Sequence, residues 1–206
     1  MPKNSQCVLC GSVGEVTKDH LPPKSCFPSP KPNNLITVRA CKKCNGGRSL
    51  LDNKFSLFLS MAAHGQSLEG RRLWAERARA LVSNKALMTE VLAVRTESED
   101  RYRFSLDFAQ FEPLFQDIFR GLYYREFRDI YPPDKIFDLT FKKQLSPRDF
   151  DLIRRLSRGS VGANMFFYGI GRAAEDPTAA AGIISFYGKF AVTGVCAPIN
   201  HSHQST

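Results

Sequence analysis

Two identical cysteine spacings dominate the first quarter of the 206-residue chain. Cys7 and Cys10 form one Cys-x-x-Cys pair, and Cys41 and Cys44 form a second. Four thiolates in two such turns make a tetrahedral Zn²⁺ site with no open coordination position, which is the pattern of a structural site. We therefore predict a structural zinc ion that closes the loop between the pairs. Such binding contributes about 10–16 kcal/mol in small zinc-binding peptides.

Close to these cysteines lie side chains that suit phosphodiester hydrolysis. Asp19 and His20 are adjacent between the two pairs, and Asn45 directly follows the last cysteine. The reaction needs a base near neutral pH and a divalent cation that offsets charge on the phosphate and the leaving 3′-oxygen. A hard cation prefers oxygen ligands, so one carboxylate and one amide oxygen suffice. Because adjacent strand residues point to opposite faces, a bend at Pro22-Pro23, or ligation from the strand edge, would have to bring Asp19 and His20 to one site.

The order of these residues is also that of a known family. Residues 7–55 contain Cys-x-x-Cys, Asp-His-x-x-Pro, Asn-Leu and then Cys-x-x-Cys-Asn-x-x-Arg-Ser. This series resembles the HNH endonucleases of the ββα-metal class, in their four-cysteine zinc form. The resemblance implies hydrolysis of DNA to 5′-phosphate and 3′-hydroxyl ends.

The resemblance also implies a role for each site residue. His20 would be the general base, and Asp19 and Asn45 would hold a catalytic Mg²⁺ or Mn²⁺ ion, with Asn45 standing where many members carry His. Asn34, which precedes a leucine, would be the middle polar residue that ties the hairpin together and orients the base. Arg48 would contact a phosphate.

Lys42 and Lys43, beside the second cysteine pair, complete the predicted DNA contacts. The alternative interpretation is a zinc-ribbon-like module that binds nucleic acid without cutting it, in which Asp19 and His20 form an incidental surface pair. A third hypothesis is an effector whose C-terminal part contacts another protein and restrains the nuclease.

Secondary-structure signals predict an α+β fold whose N-terminal part is a strand–strand–helix module. Strands are expected at 16–21 and 35–39, separated by a loop with five prolines. A helix then runs from Cys44 or Asn45 to Ala63, with Leu50, Phe55 and Leu59 on its apolar face. We place this nuclease module with its zinc site at 1–65.

The remainder, 66–206, is predicted to be a mainly helical region with a small antiparallel sheet at its end. Helices are expected at 67–95 with a break at Asn84, at 111–130, and from Ser146 to Arg158-Gly159. Strands are expected at 102–108, 136–141, 165–168, 182–187 and 190–195. The aromatic stripe of the 111–130 helix predicts either core packing or a homodimer contact.

The formal charge of +9 is distributed unevenly. Residues 1–60 carry +6, residues 61–141 carry −1, and residues 142–206 carry +4. Two basic ends suit a polyanion such as DNA. We therefore consider a second DNA-contacting face formed by Lys142, Lys143, Arg148, Arg154, Arg155 and Arg158, against the alternative of a solvated helix face.

Composition and hydropathy indicate the environment of the protein. No apolar run approaches the roughly 20 residues needed to span a bilayer, so no membrane contact is expected. The N-terminal residues lack the long apolar segment of a secretory signal, which favours the cytoplasm. There, paired cysteines favour metal binding over disulfides, whereas Cys26 and Cys196 are expected to be ordinary thiols.

Overall fold

The first quarter of the chain folds as two small hairpins followed by two helices. The computed structural model describes residues 5–65, 67–93, 95–98, 101–104, 107–163 and 165–196. The antiparallel hairpins pair β1 (Ser5–Gln6) with β2 (Val13–Gly14), and β3 (Val16–His20) with β4 (Thr37–Cys41). The helices are α1 (Lys42–Gly46) and α2 (Ser49–Ala63). The predicted strand–strand–helix order is therefore present, with the second strand two residues later than expected.

The predicted single helix from Cys44 to Ala63 is interrupted at Gly47 and Arg48. The Gly47 backbone N–H donates to the Lys43 carbonyl at 3.0 Å, and a Cβ at Gly47 would lie 2.5 Å from that oxygen. The chain can therefore turn here only without a side chain. Because the first turn of α2 lies outside the core, Leu50 is 73% exposed, contrary to the prediction that it lies on the buried face.

The helical middle follows the predicted break. Helices α3 (Leu68–Ser83) and α4 (Lys85–Ala93) are separated by Asn84, whose Oδ1 accepts from the Leu87 N–H at 3.1 Å. Strands β5 (Arg95–Ser98) and β6 (Arg101–Phe104) then pair as a hairpin. Of the strand predicted at 102–108, residues 102–104 lie in β6, residues 105–106 fall outside the described residues, and a 3₁₀ turn begins at Phe108.

The aromatic helix α5 (Glu112–Phe127) is the centre of the core. Phe115, Phe119 and Leu122 are fully buried. The Phe119 ring packs directly against Gly182 and Gly194 of the C-terminal sheet. A Cβ at either glycine would lie within 3 Å of the ring. The apolar stripe of α5 is thus covered by its own chain and is not free for the dimerisation that we considered.

A five-stranded antiparallel sheet forms the C-terminal part, in the order β7-β11-β10-β9-β8. Its strands are β7 (Asp138–Lys142), β8 (Ser157–Val161), β9 (Phe166–Arg172), β10 (Ala180–Phe186) and β11 (Phe190–Cys196). Helix α6 (Pro147–Arg154) starts at the predicted Ser146 cap but ends short of the predicted Arg158-Gly159, and residues 157–159 belong to β8 instead. Gly159 of β8 lies opposite Tyr168 of β9, and the Tyr168 ring leaves no space for a side chain at Gly159.

The predicted boundary after residue 65 does not separate two cores in the described part of the chain. One buried cluster contains side chains from both sides, among them Leu21, Phe55, Phe115 and Phe186. Phe55 packs edge-on against Phe115 and Phe186, with ring centroids 5.2 and 5.5 Å apart. None of the described helices has the length and apolar character that crossing a membrane requires.

Candidate metal centre and active site

The four predicted cysteines come together at the end of the β3–β4 hairpin. Cys7 lies in the turn between β1 and β2, Cys41 ends β4, and Cys44 lies in α1. The four Sγ atoms all lie within 4.8 Å of one another, and those of Cys10 and Cys41 are 3.8 Å apart. A tetrahedral zinc ion with Zn–S bonds of about 2.3 Å places its sulfurs about 3.8 Å apart. The donor set and its spacing therefore fit zinc.

The local backbone shapes this cluster. The Cys7 N–H donates to the Ser12 carbonyl at 2.8 Å and the Gly11 N–H to the Cys7 carbonyl at 2.9 Å, with Gly11 at a φ of +74°. A hydrogen bond from the Cys44 backbone lowers the pKa of the Cys41 thiol to about 6, whereas burial raises the pKa of Cys7. Thiolates are the forms that bind metal, so Cys41 is the ligand most readily deprotonated at neutral pH.

The β3–β4 hairpin presents the remaining candidate residues on two different faces. Asp19 pairs with Val38 in the ladder, and His20 pairs with Thr37. Successive strand residues point to opposite sides, so Asp19 lies on the face toward α1 and α2, hereafter the helix face. His20 lies on the other side with Lys18, Thr37 and Arg39, hereafter the His20 face. The ladder register therefore places the imidazole and the Asp19 carboxylate on opposite faces of the hairpin, so a shared site would still require a bend at Pro22-Pro23 or ligation from the strand edge.

Asp19 is held in a buried ion-pair cluster. It is 7% exposed, its Oδ1 accepts from the His20 backbone N–H at 2.7 Å, and its Oδ2 accepts from Arg48 at 2.9 Å. The Arg48 guanidinium also binds Asp117 of α5 and lies 3.8 Å from Asp52. Burial raises the pKa of Asp19, and the charge of Arg48 opposes that rise. Arg48 is itself 7% exposed. Its guanidinium, which we predicted to contact a phosphate, is therefore paired with these carboxylates instead.

This arrangement does not fit a divalent cation at Asp19. Both carboxylate oxygens already accept hydrogen bonds, and the positive charge of Arg48 sits against Oδ2. Asn45 does lie on the same helix face, where its Nδ2 donates to Thr17 Oγ1 at 2.8 Å and to the Lys18 carbonyl at 3.3 Å. A Mg²⁺ or Mn²⁺ ion on these two residues would therefore have to share the carboxylate with the guanidinium of Arg48.

His20 has the properties of a base at neutral pH. Its side chain is half-buried and makes no hydrogen bond with any residue that the structure describes. Burial lowers its pKa, and the positive charges of Lys24 and Lys18 lower it further. These effects favour the neutral imidazole, which is the form that can accept a proton.

The other predicted contacts lie in separate places. Asn34 anchors its loop to the C-terminal sheet: its Nδ2 donates to the Ser160 carbonyl at 3.0 Å and its Oδ1 accepts from the Gly162 N–H at 3.1 Å. This amide therefore ties its loop to β8 and the turn that follows it, whereas the predicted role was to tie the hairpin together and to help orient His20. Lys42 and Lys43 are exposed on α1 and make no ion pair within the described part of the chain.

Two site residues were missed in the sequence. Asp52 lies four residues after Arg48 on a helical segment, and this spacing favours an ion pair. The pair could therefore have been predicted from the sequence. Asp117 gave no such signal, because it reaches Arg48 from a helix that lies 69 residues further along the chain. No family model, no curated protein and no solved structure matches the chain.

Proposed function

We propose that the protein is an HNH-type nuclease that hydrolyses DNA phosphodiester bonds with His20 as the general base. The observation that carries this proposal is a half-buried imidazole, without a hydrogen-bond partner among the described residues, at the end of a hairpin whose other end holds the four-cysteine cluster. The neighbouring charges of Lys18 and Lys24 suit a phosphate ligand.

The reaction follows from the position of this base. His20 removes a proton from a water molecule, and the water oxygen forms a new bond to phosphorus while the bond to the 3′-oxygen breaks. The leaving 3′-oxygen takes up a proton from solvent water, and the imidazolium of His20 returns its proton to solvent, which yields a 5′-phosphate and a 3′-hydroxyl. The zinc ion of the cysteine cluster would act only as a structural staple, because four thiolates leave it no open position.

Plasmid cleavage tests the proposal. Wild type is incubated with supercoiled plasmid in Mg²⁺, in Mn²⁺ and in EDTA, alongside His20→Ala. His64→Ala is the matched control, because His64 is exposed at the end of α2 and packs edge-on against Trp74 with ring centroids 5.9 Å apart. We expect at least a roughly 100-fold slower cleavage by His20→Ala, the usual scale of general-base catalysis, and no loss in His64→Ala. Equal cleavage by all three proteins would contradict the role of His20.

A second function is favoured by the ion pair at Asp19. Because Arg48 occupies the carboxylate on the helix face, the site lacks a ready divalent-cation ligand beside the imidazole among the residues that the structure describes. This favours a zinc module that binds nucleic acid without cutting it. Binding of a duplex oligonucleotide, with no cleavage in any of the cation conditions above, would support this second function over the first.

A further inference from the structure

We propose that a cavity beside the His20 face, built jointly by the hairpin and by the end of α5, binds a backbone phosphate of the DNA substrate. The cavity has a volume of 350 Å³. Its lining residues are Thr37, Tyr124, Arg125, Glu126 and Arg128. We call it the arginine notch. Its assignment to DNA rests on the proposed function, whereas its position and charge are features of the structure alone.

The position of the arginine notch follows from strand register. Thr37, which lines it, is the residue directly opposite His20 in the β3–β4 ladder. Side chains directly opposite each other in an antiparallel pair have Cβ atoms about 4.5–5.5 Å apart. A DNA strand whose scissile phosphate contacts His20 would therefore pass close to the arginine notch.

Its charge is dominated by guanidinium groups. Arg125 and Arg128 are exposed, and Arg39, two residues after Thr37 on β4, donates to the Tyr124 hydroxyl at 3.1 Å. Glu126 supplies the carboxylate among the described lining residues. It accepts from the Tyr168 hydroxyl at 2.8 Å and lies 3.6 Å from Arg125 Nε.

The helix dipole of α5 opposes anion binding here, but the guanidinium charges outweigh it. The C-terminal end of α5 carries a partial negative charge equivalent to roughly half an electron. Arg128 caps that end in the left-handed conformation, with its N–H donating to the Tyr124 carbonyl at 2.9 Å. The lining residues carry two guanidinium groups against one carboxylate, and the Arg39 guanidinium lies beside them on Tyr124, so the arginine notch is cationic despite this partial charge.

The basic residues near α6 are a separate candidate for the same role. Lys142 is bound to Asp149 at 2.6 Å, and Arg154 lies 3.3 Å from Asp151. Two of the six basic side chains that the sequence suggested there already have a carboxylate partner. The lining residues of the arginine notch all lie outside that group, so the two surfaces can be tested separately.

The salt dependence of DNA binding tests the arginine notch. Binding of a duplex oligonucleotide is measured across salt concentrations in a His20→Ala background, which removes cleavage. Each phosphate contact contributes about 0.9 to the slope of log Kobs against log salt. We expect Arg125→Gln with Arg128→Gln to reduce that slope by about 1.8 and to weaken binding by about tenfold or more near physiological salt.

The matched control neutralises two exposed arginines elsewhere. Arg71→Gln with Arg72→Gln removes the same charge from α3, which packs on α2, and neither arginine lines the arginine notch. Arg125→Lys with Arg128→Lys keeps the charge and should retain the wild-type slope. Far-ultraviolet circular dichroism and thermal unfolding identify any variant that fails to fold.

The outcomes separate the two proposals. A double Gln variant of the arginine notch with an unchanged slope, or with no larger change than the α3 control, overturns this inference even if wild type cuts plasmid. A selective loss of slope in a protein that never cuts plasmid supports the arginine notch and removes the nuclease proposal. Absence of any DNA binding by the His20→Ala protein and by wild type overturns the inference as well.

Discussion

The Arg48 guanidinium donates to the Asp19 carboxylate at 2.9 Å, and both side chains are more than nine-tenths buried. The pair links the turn between α1 and α2 to the strand that carries His20. Asp117 of α5 binds the same guanidinium, so the C-terminal region contributes to the environment of Asp19. Burial raises the pKa of both aspartates, and the charge of Arg48 is what opposes that rise.

Removal of the Arg48 charge should be strongly destabilising. Arg48→Met leaves the buried Asp19 and the half-buried Asp52 and Asp117 without their shared cation, and breaking a buried ion pair in this way costs about 3–5 kcal/mol. We expect a loss of that size in the free energy of unfolding, measured by urea denaturation. Arg154→Met is the control, because its pair with Asp151 is exposed and contributes about 0–1 kcal/mol. Similar losses in the two variants would contradict the importance of the buried cluster.

Loss of the zinc ion should unfold the N-terminal quarter. Cys41→Ser removes one sulfur from the cluster, and small zinc domains derive about 10–16 kcal/mol from such sites. We expect less than one zinc per chain by elemental mass spectrometry, together with a lower thermal midpoint. Cys196→Ala, outside the cluster, should keep one zinc per chain. Wild type that contains no metal after purification in zinc-supplemented medium would count against the site.

Asp149 should make stability depend on pH. Burial raises its pKa, but hydrogen bonds from Lys142 and Ser146 outweigh burial and hold the pKa below its usual value. The stabilisation is therefore complete above the unfolded-state pKa of about 3.9 and is lost as pH falls through the folded-state value.

Urea denaturation of wild type and Asp149→Asn checks this sign. At pH 7 the variant should be less stable by about 1 kcal/mol, the scale of a lost helix cap. The difference should shrink toward zero as the pH is lowered below about 4. A difference that stays constant, or that grows in acid, would show that the carboxylate charge is not what stabilises the start of α6.

Adjacent glycines should respond differently to a methyl group. A Cβ at Gly47 would lie 2.5 Å from the Lys43 carbonyl oxygen, whereas a Cβ at Gly46 meets nothing within 4 Å among the described residues. We expect Gly47→Ala to destabilise the protein by about 1–3 kcal/mol, because a backbone atom cannot move aside as a flexible side chain can. Gly46→Ala should be neutral or slightly stabilising. Two urea denaturation curves measure the difference, and equal midpoints would refute it.

Local signals in the sequence predicted much of the secondary structure. Ser146 and Asn84 cap helices where they were expected, because capping depends on residues within one turn. Strand β8 was missed because its sequence, Ser-Arg-Gly-Ser-Val, shows no alternation of apolar and polar residues. It is a strand because it pairs with β9, and pairing is a tertiary property.

In the candidate site too, features that depend on local sequence were predicted, and features that depend on tertiary contacts were not. The cysteine spacing within each pair predicted the cluster, because each pair belongs to one short turn. The position of Arg48 could not be predicted, since Asp117 reaches it from a distant helix. Whether Asp19 and His20 act at one site depends on how the strand bends, which the residue order does not determine.

The loop between β3 and β4 is held by hydrogen bonds to the C-terminal sheet and its turns. The Tyr187 hydroxyl donates to the Cys26 carbonyl at 2.9 Å, and Asn34 is bound to Ser160 and Gly162. A chimera that transplants only residues 1–65 into another protein would deprive this loop of those partners. The conformation of this loop therefore depends on β8 and on the turn that follows β10, and not on residues 1–65 alone.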